Sequence, residues 1–267
     1  MQRRVQRVGL WLGFSTGALA LGDFAAATNW MVRHHVKIIE LSALRFDELE
    51  PLVARLPEIP IKEFTYVSFH APSFFKQDQE RRVIELLRAV KDRGWNIIVH
   101  PDVLYRPRLW ADFGPQLLIE NMDRRKATGR TVEELTLLFS KLPEARLCLD
   151  VAHARQLDTS LKLLSDLISM FWDRVAEVHI SELDSMCHHR PMSNGAVIDY
   201  QRFARWLGDR KHVIIESALE AYDDEVWIKE FHEAERSLGQ HTGERTDGRV
   251  ARERPHGWSR RRLAGAT

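Results

Sequence analysis

Eight short apolar segments recur along the chain with amphipathic segments between them, and this alternation constrains the fold more than any other feature. The apolar segments are VGLWLGF (8–14), KIIEL (37–41), FTYVSFH (64–70), NIIVH (96–100), QLLIE (116–120), RLCLD (146–150), AEVHI (176–180) and HVIIE (212–216). Short runs rich in Val, Ile, Leu and Phe are typical of strands buried on both faces of a parallel sheet. We therefore predict an α/β fold with helices connecting parallel strands.

Four of the intervening segments predict helices, at 81–94, 131–142, 160–174 and 199–208. The first has an apolar stripe and ends at Gly94, and the second begins with a capping box formed by Thr131 and Glu134. Residues 188–199 are predicted to form the loop after the seventh strand.

Eight strands and their helices in about 240 residues fit a single (β/α)8 TIM barrel. The alternative is an open doubly wound sheet, but GFSTGALALG (13–22) lacks the GxGxxG pattern that such a sheet usually carries after its first strand. We predict one barrel domain over residues 1–239. Residues 240–267 are predicted to be a disordered basic tail, because they show almost no apolar periodicity.

Charge is distributed unevenly along the chain. The formal net charge is +1, and the tail contributes seven arginines against three acidic residues, which leaves a net charge near −3 for residues 1–239. A body of this charge offers little for a phosphate backbone, so the charge argues against nucleic acid as a partner without excluding it.

Compartment is indicated only by coarse features. The two cysteines, Cys148 and Cys187, are too few for a disulfide framework and suit a reducing compartment. The arginines at the N-terminus followed by residues 8–14 are also compatible with a signal peptide, but the same residues are needed as the first strand. No apolar run approaches the ~20 residues of a membrane span, and we expect a cytoplasmic protein.

Most of the predicted strands reach an acidic residue or a histidine at or near their carboxyl end. These residues are Glu40, His70, His100, Glu120, Asp150, His179 and Glu216. The carboxyl ends of barrel strands converge on one face, where barrel enzymes have their active sites. A single charged strand end often only caps the next helix, but capping favours Ser, Thr and Asn and would not favour histidine.

Clustered carboxylates repel one another unless a cation lies between them. Mixed imidazole and carboxylate donors suit Zn²⁺, Mn²⁺, Fe²⁺ or Co²⁺ better than Ca²⁺. The sequence therefore predicts a divalent metal site at the barrel mouth, with Zn²⁺ or Mn²⁺ favoured and Fe²⁺, Co²⁺ or Mg²⁺ as alternatives.

An ordered series of short motifs runs along the predicted strand ends: FHAPS (69–73), VHPD (99–102), IENMD (119–123), CLDVAH (148–153), VHIS (178–181), HHRP (188–191) and IIES (214–217). Together they resemble the xylose isomerase-like TIM-barrel superfamily, which includes sugar-phosphate isomerases, sugar epimerases and endonuclease IV-like enzymes.

The resemblance to tagatose-epimerase-like members implies one metal held by Glu120, Asp150, His179 and Glu216. It also implies that the two glutamates transfer a proton and that His153 orients the substrate. The arginine that such epimerases carry beyond the strand-seven histidine is missing here, where Leu183, Asp184 and Ser185 stand.

The resemblance to endonuclease IV-like members adds His70, His100 and His189 to the metal ligands, alongside His153. In that pattern an aspartate precedes the last histidine by two residues, and here Cys187 takes its place. Cysteine can ligate zinc, so a third ion stays open. The family resemblance therefore implies one to three ions.

Several neighbouring residues have two readings. Glu40 is expected to contact the site or to form a structural ion pair, and residues 124–126 to recognise a substrate phosphate or to form a solvated loop. Phe74 and Phe75 are expected to wall the substrate pocket or to pack in the core. Trp11 is expected to fill the barrel, and His188 to be solvated.

We hypothesise a divalent-metal-dependent isomerase or epimerase that acts on a small molecule, a sugar or sugar phosphate. Glu120, Glu216 and His153 are the candidate catalytic residues, and no organic cofactor is implied. The alternative is an endonuclease IV-like multimetal phosphoester hydrolase acting on abasic-site DNA or a small phosphoester. A non-catalytic metal-binding barrel is a third hypothesis, which no sequence feature favours.

Overall fold

A closed parallel barrel organises the computed structural model, which describes residues 11–19, 23–208, 211–219 and 223–239. The barrel strands are β1 (Leu12–Ser15), β2 (Ile38–Ser42), β3 (Tyr66–His70), β4 (Asn96–Val99), β5 (Leu117–Glu120), β6 (Arg146–Asp150), β7 (Val175–Ile180) and β10 (His212–Ile215). Around the barrel the strand order is β1-β10-β7-β6-β5-β4-β3-β2, so the first strand closes onto the last. The predicted (β/α)8 barrel is confirmed.

A two-stranded antiparallel hairpin lies outside the barrel, between its seventh and eighth strands. It consists of β8 (Glu182–Leu183) and β9 (His189–Arg190). The hairpin therefore carries His189 back towards the carboxyl end of β7.

The helices follow the strands and cover the barrel. They are α1 (Phe24–Arg33), α2 (Phe46–Arg55), α3 (Glu80–Lys91), α4 (Pro107–Trp110), α5 (Val132–Lys141), α6 (Val151–Leu157), α7 (Lys162–Phe171), α8 (Asn194–Gln201), α9 (Ala204–Leu207) and α10 (Asp224–Ser237). The predicted helices at 81–94, 131–142 and 160–174 correspond to α3, α5 and α7.

The predicted capping box of α5 is only half present. Thr131 accepts a hydrogen bond from the backbone N–H of Glu134 at 3.3 Å, as expected. The carboxylate of Glu134 accepts from the backbone N–H of Arg130 at 2.7 Å instead of from Thr131. The helix still begins where its sequence predicts.

The prediction of a loop over residues 188–199 is wrong at its second half. Helix α8 begins at Asn194, because the Ser193 hydroxyl accepts from the backbone N–H of Ala196 and caps the helix. The predicted helix at 199–208 is accordingly shifted, and it divides into the end of α8 and the short α9.

Tight contact between β1 and β2 explains the glycine at position 13. A Cβ atom on Gly13 would lie 1.9 Å from the carbonyl oxygen of Ile38. Trp11, which precedes β1, is 37% exposed and lies against His212, so the expectation that it fills the barrel is wrong.

Within the described ranges, no helix has the length and apolar character needed to cross a membrane. The predicted tail at 240–267 lies outside the described residues, and the domain boundary at 239 stays a prediction.

Candidate metal centre

Four potential ligands meet at the carboxyl end of the barrel, each from a different strand end. The side-chain donor atoms of Glu120, Asp150, His179 and Glu216 lie within 4.8 Å of one another. Glu120, Asp150 and His179 are fully buried, and the Glu216 side chain is 12% exposed. Oδ2 of Asp150, Nδ1 of His179 and Oε2 of Glu216 are buried and have no hydrogen-bond partner. Three buried polar atoms that lie close together without hydrogen-bond partners form an arrangement that a bound cation would stabilise.

Asp150 is held in place by Asn121, a residue that the sequence analysis did not single out. The Asn121 amide donates to the carbonyl oxygen of Asp150 at 2.8 Å and accepts from its N–H at 2.8 Å. Oδ1 of Asp150 caps helix α6 by accepting from the N–H of His153 at 2.7 Å. Capping therefore uses one carboxylate oxygen and leaves Oδ2 for the centre.

Glu120 also belongs to a second donor group, which His70 and His100 complete. Oε2 of Glu120 lies 3.3 Å from Nε2 of His70 and 3.1 Å from Nε2 of His100. Nδ1 of His70 lies 2.7 Å from the carbonyl oxygen of Ala71, to which it must donate. In a neutral His70 ring the Nε2 lone pair then faces a carboxylate oxygen, and a cation or a proton between them is needed to relieve the repulsion.

Asp150 belongs in the same way to a third donor group, with His153 and His189. Nδ1 of His153 lies 2.8 Å from the carbonyl oxygen of Asn121 and donates to it, which leaves Nε2 as a potential ligand. Nδ1 of His189 bonds with the Ser181 hydroxyl at 2.7 Å. The β8–β9 hairpin thus delivers His189 to the centre.

Cys187 does not take the place of an aspartate ligand. It is buried with a φ of 63°, and its Sγ accepts a hydrogen bond from Nε2 of Gln156 at 2.8 Å. Among the described residues, Cys187 belongs to none of the donor groups.

The His179 ring connects the centre with the layer of the barrel beneath it. Its Nδ1 lies 3.3 Å from Glu120 and 3.2 Å from Glu216. Its Nε2 lies 3.0 Å from Oε1 of Glu177 and 3.2 Å from Oε2 of Glu40. Cys148, Glu177 and His179 form a further donor group at this deeper level. Glu40 therefore contacts the site through His179.

The buried carboxylates have opposite pKa shifts. Burial opposes ionisation of Glu120, but the neighbouring imidazoles of His100, His179 and His70 outweigh it and hold the pKa of Glu120 well below its usual range. Burial raises the pKa of Asp150 to about 7, with the His153 imidazole opposing the shift and the Glu216 carboxylate adding to it. The charge of Glu120 is thus balanced by imidazoles, and that of Asp150 is not.

The pKa values of the histidines are also shifted in opposite directions. Burial opposes protonation of His70, yet the hydrogen bond with Glu120 and the charge of Glu40 raise the pKa of His70 to about 9. Burial lowers the pKa of His189 to about 4 and also lowers the pKa of His100. The buried carboxylates therefore favour a positive charge beside them, which either a proton on His70 or a bound metal ion would supply.

Loops tied to one another surround the mouth of the barrel. In the loop after β5, the Arg124 guanidinium donates to the carbonyl oxygen of Ser185, beyond β7. Lys126 from the same loop donates to the carbonyl oxygen of Ser73 at 3.1 Å and to Asp102 at 2.9 Å. These bonds connect the loops after β3, β4, β5 and β7.

The basic run at 124–126 is already engaged within the protein. Arg125 forms an ion pair with the buried Asp123 at 2.6 Å, and Lys126 is paired with Asp102. Both cations therefore already have a carboxylate partner, although the Arg125 side chain is 48% exposed to solvent.

Phe74, Phe75 and His188, which neighbour the site in sequence, differ in solvent exposure. Phe75 is buried and packs in the core against Trp110, whereas Phe74 is 67% exposed. The His188 side chain is 59% exposed beside Asp184, as predicted for a solvated neighbour.

Glu177 is the main residue of the site that sequence reasoning missed. It precedes His179 by two positions on β7, and alternate residues of a strand face the same side. The signal was thus present in AEVHI, but Glu177 lies in the middle of the strand, whereas the candidate ligands lie at or near strand ends.

Comparisons with known proteins agree with this architecture. Residues 107–236 match the family model described as a xylose isomerase-like TIM barrel. A search of curated proteins finds no match.

Two solved structures share the fold. One is a D-tagatose 3-epimerase-like protein, with 14% identity and a TM-score of 0.54 over 86% of this chain and 98% of that one. The other is endonuclease IV from Thermus thermophilus, with 18% identity and a TM-score of 0.55 over 83% of this chain and 97% of that one.

The fold and the donor groups define a barrel with a candidate metal centre at its mouth. The resemblance predicted from the motifs is confirmed: residues 107–236 match the xylose isomerase-like TIM-barrel model, and the described strands close into a barrel of that architecture.

Proposed function

We propose that the protein is a divalent-metal-dependent isomerase or epimerase acting on a sugar or sugar-like small molecule. The observation that carries the proposal is the group formed by Glu120, Asp150, His179 and Glu216, in which three buried donor atoms lack a partner. These four residues would hold one ion, and Zn²⁺ or Mn²⁺ suits their mixture of imidazole and carboxylate. A bound ion would polarise the oxygens of the substrate.

Glu216 is the better placed of the two carboxylates for proton transfer. Its side chain is 12% exposed and its Oε2 has no hydrogen-bond partner, whereas Glu120 is 1% exposed and surrounded by imidazoles. We assign Glu216 as the residue that exchanges a proton with a substrate carbon, and Glu120 as the second carboxylate of the transfer. His153, fixed through Nδ1 by the Asn121 carbonyl, would orient the substrate or hold a further ion.

The tied loops support a small substrate. Arg124 and Lys126 fasten the loop after β5 to its neighbours, and a duplex would have to displace these contacts to reach donors that are almost wholly buried. Arg125 and Lys126 are paired with aspartates, which leaves them poorly suited to binding a phosphate backbone.

A second candidate is a multimetal phosphoester hydrolase, and one observation favours it. The groups completed by His70 and His100 and by His153 and His189 each share a carboxylate with the four-residue group. Adjacent shared sites are the arrangement in which two ions stabilise the attacking and leaving oxygens of a displacement.

Metal stoichiometry combined with two assays separates the candidates. The protein is purified without chelator, its metal content is measured, and ketoses and their phosphates are incubated with it in D₂O. Deuterium incorporation that falls about 10²–10⁴-fold in Glu216→Gln supports the isomerase. Glu80→Gln, which changes a buried glutamate of α3, is the matched control and should retain activity.

The same preparations are tested on an abasic-site duplex and on a small phosphodiester. Two or three ions per chain, with cleavage lost in His70→Ala and no deuterium incorporation, would establish the hydrolase instead. A protein that binds no metal and is indifferent to chelators would contradict both candidates.

A further inference from the structure

Beneath the candidate metal centre lies a partly buried hydrogen-bonded chain that the proposed chemistry does not use. Oε1 of Glu177 lies 3.0 Å from Nε2 of His179, and Oε2 of Glu177 accepts a hydrogen bond from the Tyr66 hydroxyl at 2.6 Å. Asn96 in turn donates to the Tyr66 oxygen at 2.8 Å. Four barrel residues on three strands, β3, β4 and β7, are thereby connected.

The two oxygens of Glu177 have one defined partner each. A carboxylate held by two donors cannot rotate freely, so it presents Oε1 to His179 in a fixed direction. Tyr66 is fixed in addition by the ring of His212, which stacks on it at a centroid distance of 3.6 Å and an angle of 9°.

The arrangement determines which nitrogen of His179 carries the hydrogen. A carboxylate is only an acceptor, so Nε2 must donate to Glu177 at 3.0 Å. Oε2 of Glu40, 3.2 Å from the same nitrogen, adds a second negative charge on that side of the ring. Nδ1 of the neutral ring then has its lone pair directed between Glu120 and Glu216, where it has no hydrogen-bond partner.

We propose that Glu177 is a positioning residue: it holds His179 as the Nε2–H tautomer, so that Nδ1 is the ligand atom, and Tyr66 and Asn96 keep Glu177 in place. Glu40 supports the same tautomer from β2. Carboxylate partners of this kind fix the orientation of a ligating imidazole and raise its basicity. The inference rests on the proposed function, because it requires that His179 ligates a metal.

The test is a cobalt titration of the full chain, in which Co²⁺ absorption reports on the ligands and a competing chelator gives the affinity. Glu177→Gln should weaken binding of one ion by about 10–100-fold and change its visible spectrum. Tyr66→Phe, which removes the donor to Oε2 but leaves Oε1 and His179, should weaken binding less. Glu80→Gln, a buried glutamate bonded to Arg106 and Trp110, should bind cobalt as wild type does.

The melting temperature of each variant in chelator separates a positioning role from a structural one. The inference is overturned if Glu177→Gln and Glu80→Gln both lose cobalt affinity in proportion to their loss of stability. It is also overturned by unchanged affinity in Glu177→Gln, or in Tyr66→Phe if Glu177→Gln does not fold. If wild-type protein binds no cobalt, the proposed function fails as well, and the two failures are thereby distinguishable.

Discussion

Nε2 of His100 lies 3.1 Å from Oε2 of Glu120, whereas Nδ1 of His179 lies 3.3 Å from the other carboxylate oxygen, Oε1. Glu120 is thereby shared between two donor groups, whereas His100 belongs to one. Removing the two side chains should have unequal consequences.

We predict that Glu120→Gln lowers the metal content of the protein more than His100→Ala does. The amide removes a charged donor from both groups, while the alanine removes one neutral donor from one group. Metal analysis after dialysis against buffer without chelator measures the difference. Equal losses in the two variants would contradict a shared role for Glu120.

Metal removal should destabilise the protein. Without a cation, the carboxylates of Glu120, Asp150 and Glu216 repel one another in a buried space. A ligand present at 100 times its Kd stabilises a protein by about 2.7 kcal/mol, which is roughly 5–10 °C in Tm for a domain of this size. Melting curves with and without chelator measure the effect, and restoration by added Zn²⁺ or Mn²⁺ is the control. A Tm that chelator leaves unchanged would count against a bound metal.

The barrel was predictable from the sequence because its signals are local and repeated. Each apolar run of four to eight residues marks a strand, and the order of strands follows from the βα alternation. The proximity of the strand-end residues could be predicted because all the parallel strands of a barrel have their carboxyl ends on one face. Donor atoms of Glu120, Asp150, His179 and Glu216 do meet there.

What the sequence did not provide depends on contacts between distant residues. The engagement of Asn121 with Asp150 spans 29 residues, and that of Tyr66 with Glu177 spans 111. Neither pair leaves a periodic pattern. The orientation of the Cys187 side chain could not be predicted either, because it depends on a left-handed backbone conformation in the hairpin and on a hydrogen bond from Gln156 of α6.

Close approach of β1 to β2 makes Gly13 intolerant of substitution. A Cβ at this position would lie 1.9 Å from the carbonyl oxygen of Ile38, which is backbone and cannot move without opening the barrel. We expect Gly13→Ala to destabilise the protein by about 3 kcal/mol or more, at the upper end of overpacking costs. Gly195→Ala is the matched control, because the nearest atom to its Cβ would be at 3.5 Å and the residue is within helix α8. Chemical denaturation should show Gly195→Ala at least as stable as wild type, and a tolerated Gly13→Ala would refute the close packing.

At the amino-terminal end of the barrel, His212 should make stability depend on pH. Burial, reinforced by the charge of Arg146, lowers the pKa of His212 from 6.5 to about 4. The unfolded chain therefore binds a proton between these pH values that the folded protein does not, so stability is complete above pH 6.5 and falls as pH decreases towards 4.

We predict that His212→Phe reduces this dependence. Phenylalanine retains an aromatic ring to stack on Tyr66 but cannot take up a proton in the unfolded state. As pH decreases from 7 to 5, the Tm of the variant should rise relative to that of wild type. The expected change is roughly 2–4 °C for each 1 kcal/mol of difference in the free energy of unfolding. Paired melting curves at pH 8, where the imidazole is neutral in both states, provide the baseline for the ring substitution itself. Parallel decreases in Tm for the two proteins between pH 7 and pH 5 would show that His212 does not contribute to the acid sensitivity.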